Sequence, residues 1–379
     1  MANDKDFIVK NAVEVGKDTK VTLGTITSSN IDLSTGNYFN DTLAANTTYT
    51  ISNAGDVQSF QLEVTGSVIG YNLADASYDN VTANISSQGT NARSVRFKTD
   101  GTKMYFLHGT GDAVYQYALS TAWDASTASY ESKSFSTTSQ ETNPYGLFFK
   151  SDGTKMYIMG ATDAIYQYTL STAWDVSTAS YDSVSFSVAS QHTGALGIYF
   201  SSDGDYFYIT GNTPDTVFQY NMSTAWDLST ASYSSNSKSV SSESHFPVAV
   251  AFNNDGTKMY VANGSSTYIV YQYSLSTAWD VSTASYDSVS FDLAQSTYQL
   301  WSFTFGKDGE KLYTGYNSGG SIYQYSTAID TTLTWPTSIE WAGGVAPAAP
   351  ANGETDVFTI TTDDGGTTYH GFKTADNLS

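Results

Sequence analysis

Three acidic residues, Asp112, Asp163 and Asp215, fall at matching loop positions, where two further copies of the same segment carry Tyr268 and Gly320. Paired carboxylates across a cleft are the equipment of glycoside hydrolysis, but only at separations of roughly 5–10 Å. Equivalent positions on successive repeats should stand too far apart for such a dyad, and a shared cation is the weaker reading of the same three. A second acidic set follows tryptophan: Asp124, Asp175, Asp227 and Asp280 come directly after Trp123, Trp174, Trp226 and Trp279. Four calcium loops are one reading. The other is an Asp bonded to its own loop backbone, with the Trp as an apolar plug. A catalytic carboxylate is normally singular, so the fourfold one reads as scaffold. No Ser-His-Asp spacing stands out, no His-Cys cluster exists and no Gly-rich phosphate loop follows a strand. His370 reads as a surface residue. The expectation is a protein that is not an enzyme, with no catalytic residue, no metal and no cofactor.

The elements that carry these residues repeat. Asp-Gly pairs begin at Asp100, Asp152, Asp203, Asp255 and Asp308, and Gln-Tyr pairs at Gln116, Gln167, Gln219, Gln272 and Gln324. A fixed period of about 52 residues marks a repeat architecture. Each copy holds four short stretches rich in Tyr, Phe, Val and Ile, the profile of strands. Asp-Gly between the first two is a hairpin signal, because Gly accepts the positive φ of such a turn. Four antiparallel strands repeated around an axis form a propeller blade, with a superhelical solenoid as the competitor. The last copy stops after its third strand, at Ile322–Tyr325, while Tyr71–Tyr78 resembles a lone fourth strand lacking the Trp loop. An N-terminal strand completing the last blade closes the ring and removes both open edges. The fold expected is all-β: a five-bladed β-propeller over residues 70–326, inserted into a β-sandwich-like domain made of residues 31–69 and 327–379.

With strands numbered one to four from the axis, the one-to-two and three-to-four turns share a face. That face is nearly constant, with Asp-Gly-Thr-Lys in three copies and Ser-Thr-Ala-Ser-Tyr in four. The opposite face, built from the two-to-three loops and the links into strand one, differs in every copy. Three of the four histidines and several aromatics collect there. Loops on a rigid scaffold are where recognition usually resides. Flat aromatics beside Asn, Gln and Asp suit sugar rings, which present apolar C–H faces and hydroxyls together. The links lie nearest the axis, so the binding candidates are Asn91, Arg93, Tyr145, His192, His245, Tyr298 and Trp301. Neutral drift of unconstrained loops is the alternative.

The chain has 379 residues, 29 Tyr and a formal net charge of −21, with charged residues at 14%, below the roughly 25% typical of soluble domains. Its surface must be built of Ser, Thr, Asn and Tyr, which suits extracellular or virion proteins. Nucleic-acid binding needs clustered Lys and Arg, and the 16 here are scattered, so that class is excluded; an anionic membrane surface is disfavoured likewise. There is no Cys, so no disulfide and no thiol chemistry. Met1–Asp6 lacks the apolar core of a signal peptide, and no apolar run approaches the ~20 residues of a membrane span. Synthesis in a cytoplasm without an export signal, combined with an outside-type surface, fits a virus released by lysis.

The flanks carry a resemblance. The words Asn40-Asp41-Thr42-Leu43, Thr48-Tyr49-Thr50-Ile51-Ser52-Asn53-Ala54-Gly55-Asp56-Val57 and Gln61-Leu62-Glu63-Val64-Thr65-Gly66 lead into Trp335-Pro336, Trp341-Ala342-Gly343-Gly344 and Asp364-Gly365-Gly366-Thr367-Thr368-Tyr369-His370-Gly371-Phe372. In that order they resemble tail-fibre and related virion structural proteins of tailed bacteriophages, especially marine ones, over about residues 31–66 and 333–373. The inserted repeats resemble the Asp-Gly-Thr-Lys-Met-Tyr propellers of bacterial surface proteins, which imply a fold more than a function. The resemblance implies a virion appendage with other virion proteins as partners, often as a trimer. Residues 1–30, with Phe7-Ile8-Val9-Lys10 and Lys20-Val21-Thr22-Leu23, are expected to be an arm that anchors the chain or pairs subunits. The function expected is a virion structural protein displaying the propeller for host-surface recognition, with carbohydrate as ligand. The alternative is a capsid decoration or tail adaptor with a purely structural role.

Overall fold

The computed structural model describes residues 21–265, 267–293 and 295–378. These form two compact units, one holding the described residues up to 68 and from 330 onward, the other holding the described residues between 69 and 329. The second boundary falls later than expected because Thr327 stays with the repeats: its N–H donates to the Glu310 carbonyl at 2.8 Å and its hydroxyl to the Gly309 carbonyl at 2.6 Å.

The repeat unit contains five four-stranded antiparallel sheets. Sheet one runs Ala92–Phe97, Lys103–His108, Ala113–Leu119, Ala128–Ser136. Sheet two is Pro144–Phe149, Lys155–Gly160, Ala164–Leu170, Ala179–Ser187, and sheet three Ala195–Phe200, Tyr206–Gly211, Thr216–Met222, Ala231–Ser239. Sheet four is Pro247–Phe252, Lys258–Asn263, Ile269–Leu275, Ala284–Asp292. Sheet five takes Leu300–Gly306, Lys311–Tyr316 and Ser321–Ser326 from the end of the unit and its fourth strand, Ser77–Asn84, from the beginning. The first strands touch in cyclic order, one to two through to five and five back to one.

The constant words of the sequence make the joints. The Asp of the first four Asp-Gly pairs accepts from the residue two ahead; Asp152 takes the Thr154 N–H at 2.9 Å and its hydroxyl at 2.6 Å, whereas Asp308 accepts from Asn254 Nδ2 at 3.1 Å. The Gly following each Asp has positive φ, +74° at Gly153, and a Cβ there would collide with the Trp174 ring. The Asp after each Trp caps a short 3-10 turn, as Asp175 does by accepting the Ser177 N–H at 3.1 Å. Except for Asp308, these acids are therefore bonded to their own loops.

A tyrosine in each second strand then reaches the next sheet. Tyr105, Tyr157 and Tyr208 donate to the carbonyls of Trp174, Trp226 and Trp279 at 2.7, 2.6 and 2.7 Å. Tyr260 donates to Tyr71 at 3.0 Å and Tyr313 to Trp123 at 2.5 Å, which returns the cycle to sheet one. The Gln of four Gln-Tyr pairs adds a second tie, Gln167 Oε1 accepting the Leu228 N–H at 2.9 Å for example. Gln272 has no such partner because the loop it would meet is the one missing before Ser77–Asn84.

The flank unit has its own core of Ile31, Phe39, Tyr49, Phe60, Leu62, Trp335, Phe358, Ile360 and others. Its main sheet orders five strands as Tyr38–Thr42, Gln58–Thr65, Thr355–Thr362, Tyr369–Leu378, Ile339–Trp341, with parallel pairing at both edges and antiparallel pairing inside. A three-stranded sheet, Ile26–Thr27, Asn30–Asp32, Thr50–Ser52, contributes Ile31 to the same core. Residues 21–30 thus depart from the expected arm: Gly24 N–H donates to Tyr38 O at 2.8 Å and Ile26–Thr27 pairs with Asn30–Ile31. Apolar Val21 and Leu23 are exposed, but the backbone around them is tied into the sheet. The rest of the expected arm, residues 1–20, lies outside the described residues.

Candidate functional site

The first strand of each sheet lines the axis, so its side chains set what the two ends of the ring present. Aligning the repeats on Asp-Gly, one axial position on the varied face carries Arg93, Tyr145, Leu196, Val248 and Trp301. Three of these form a cluster. The Tyr145 and Trp301 rings lie 14° from parallel with centroids 5.5 Å apart. The Arg93 guanidinium carbon sits 4.4 Å from one centroid and 4.3 Å from the other, so a single cation covers both rings. Such contacts are each worth about 0.5–1 kcal/mol when exposed and more when water is excluded.

Two asparagines fix the arginine. Its Nε donates to Asn91 Oδ1 at 3.2 Å and Nη1 to Asn143 Oδ1 at 3.3 Å, while Asn143 Nδ2 donates to the Tyr145 hydroxyl at 3.0 Å. Asn143 in turn receives order from Glu141, whose Oε1 accepts the Asn143 N–H at 2.8 Å and whose Oε2 accepts the Thr162 N–H and hydroxyl. Phe246 meets the Trp301 ring edge-on at 6.2 Å. The Trp301 Nε1 is buried without an acceptor among the described residues.

Four of the seven candidates, Asn91, Arg93, Tyr145 and Trp301, therefore come together. Tyr298 is 44% exposed and rests on Gly319 in a neighbouring loop. The His245 side chain is 82% exposed, with Nδ1 3.8 Å from Asp215. His192 is a correction: it is 0% exposed, and its Nδ1 and Nε2 lie 3.2 and 3.0 Å from the Thr213 and Thr216 carbonyl oxygens. A neutral imidazole donates to only one of these, and burial pushes its protonation below the ordinary histidine range. It holds a loop and does not face a ligand. Asn143 and Phe246 were not singled out from sequence; they stand beside Tyr145 and before Pro247 in the same links.

Asp112, Asp163 and Asp215 belong to separate sheets. Asp163 accepts the Ala195 N–H at 3.1 Å. Among the described residues no group of three or more His, Cys, Asp or Glu side chains is placed to hold a metal ion.

No family model and no curated protein matches the sequence. Among solved structures, one described as a 6-phosphogluconolactonase of Bacteroides uniformis aligns at 12% identity and TM-score 0.39, over 58% of this chain and 62% of that one. A chain of a mitotic checkpoint complex aligns at 10% identity and TM-score 0.36, over 60% and 61%. The chain thus spans about three-fifths of the length of these two structures.

Proposed function

We propose that this chain is a virion appendage protein of a tailed bacteriophage, whose repeat unit is a five-bladed β-propeller that recognises carbohydrate on the host surface. The propeller reading is supported by the cyclic contacts of the first strands and by the fourth strand that sheet five takes from the N-terminal end. The flank unit is a sandwich-like module, supported by the two sheets sharing one core, and it joins the chain to other virion proteins in a trimer.

The observation that carries recognition is the Arg93–Tyr145–Trp301 cluster at the axis, on the face where the repeats differ. Parallel aromatic rings offer a sugar its apolar surface, and the Arg93 and Asn143 donors reach its hydroxyls. The test is binding of the purified chain to bacterial surface polysaccharides, with Tyr145→Ala and Trp301→Ala as variants. Loss of tenfold or more in either variant, with the fold intact, is the expected result. Unchanged binding, or no polysaccharide bound by the parent chain, removes this assignment.

A further inference from the structure

The nearly constant face hides one position that is not constant. In every first strand the residue three before Asp-Gly is phenylalanine: Phe97, Phe149, Phe200, Phe252 and Phe305. The residue just before it differs in all five copies, as Arg96, Phe148, Tyr199, Ala251 and Thr304. These five variable side chains line one cavity of about 380 Å³ that opens among the Asp-Gly turns. A separate void of about 10 Å³ lies beside Arg93, Gly197 and Ala249, room for about one water. Arg96 lines both the large cavity and this small void.

Arg96 is under-used by the protein. Nη1 donates to the Val95 carbonyl and Nη2 to the Ile198 carbonyl, both at 3.0 Å. Nε has no partner among the described residues, so three of its five N–H bonds find no acceptor there. Among the described residues no carboxylate forms an ion pair with it. Burial draws its pKa down to about 10, and it stays charged at neutral pH. A cation enclosed without a counterion is costly, and an entering anion offsets that cost. Phe148 lies 5.3 Å from the guanidinium carbon, and Tyr199, Trp174 and Trp226 add flat walls. Lys307 also lines the cavity but is paired with Glu310 at 2.7 Å, so Arg96 is the lining cation left to neutralise one charge. With Asp308 at the rim and a net charge of −21, a dianion is disfavoured.

We propose that this cavity binds a small monoanionic carboxylate carried on a ring, with the carboxylate on Arg96 and the ring against Phe148 and Tyr199. The site is separate from the varied-face cluster and does not depend on it.

Trp123, Trp174 and Trp226 line the cavity and supply the signal. The full chain is titrated with benzoate and with glucuronate while tryptophan fluorescence is followed, with benzyl alcohol and glucose as neutral controls. A saturable change with either carboxylate, absent for its neutral counterpart, is expected; which one saturates tells an aryl from a pyranose ring. Arg96→Thr, which copies the fifth repeat, should weaken binding about tenfold or more, the range for losing a charge-assisted hydrogen bond. If Arg96→Thr does not fold, Ala251→Phe, which copies the second repeat, fills the cavity and should abolish the response. No saturable response to either carboxylate, or equal binding by a folded Arg96→Thr or Ala251→Phe chain, overturns the proposal.

Discussion

The Tyr260 hydroxyl donates a 3.0 Å hydrogen bond to the backbone carbonyl of Tyr71, 189 residues earlier in the chain. Tyr71 stands where the other four sheets receive a tryptophan. It shares the positive φ of those residues, +61° against +64 to +67°, and its ring lies over Gly309 as Trp174 lies over Gly153. The N-terminal segment thus supplies sheet five with a fourth strand and with a substitute for the missing plug.

Removing a hydroxyl from this cycle isolates one joint. Tyr157→Phe leaves the Trp226 carbonyl without its donor and should cost about 1–3 kcal/mol, the range for stranding a buried acceptor. Tyr260→Phe should cost as much if the closing joint resembles the others. Urea midpoints equal to the parent chain would mean that the hydroxyls contribute nothing to closure.

Trp174 is 7% exposed and packs against Tyr105 and Phe149. Trp174→Ala should destabilise the repeat unit by about 3–5 kcal/mol, as large-to-small changes at buried aromatics do. An unchanged melting midpoint would show that the ring is not a plug.

His192 gives a pH dependence whose sign follows from its burial. Its folded pKa lies below the ordinary histidine value of 6.5, so the unfolded chain binds the proton first as pH falls. The stability it contributes is complete above about 6.5 and declines below it, toward the lower folded value. His108 is shifted the same way by burial, so the variant isolates the effect. Between pH 7.5 and 5.5 the urea midpoint of His192→Gln should fall less than that of the parent. Parallel declines would contradict this.

Arg93 acts through a flat, delocalised cation lying on two rings, which lysine does not reproduce. Arg93→Lys should keep the fold, as judged by melting, and weaken polysaccharide binding several-fold. Equal binding would mean that charge alone matters at this position.

Much of this was legible in the sequence because repetition exposes constraint. Asp-Gly, Gln-Tyr and Trp-Asp each mark a joint, and the missing fourth strand of sheet five pointed to residues near Tyr71. One further signal was present and unread. Lys103, Lys155, Lys258 and Lys311 pair with Glu131, Asp182, Asp287 and Asp79, and the third copy loses both partners at once, with Tyr206 and Ser234. His192 misled because its link looks like its exposed counterparts; only the fold shows that its ring turns inward between two carbonyls. Arg96 was passed over because it sits in a first strand just before the constant phenylalanine, and its role depends on five first strands coming together. In the flank, the parallel pairing of Tyr38–Thr42 with Gln58–Thr65 links segments whose alternation fits either direction equally well.

Host attachment is tested most directly by a cryo-EM reconstruction of the particle that carries this chain. Attachment predicts density for it on the tail, in threefold arrangement, with Tyr145 and Trp301 facing outward. Density on the capsid shell, or a varied face buried against neighbouring subunits, would contradict host recognition and leave a structural role.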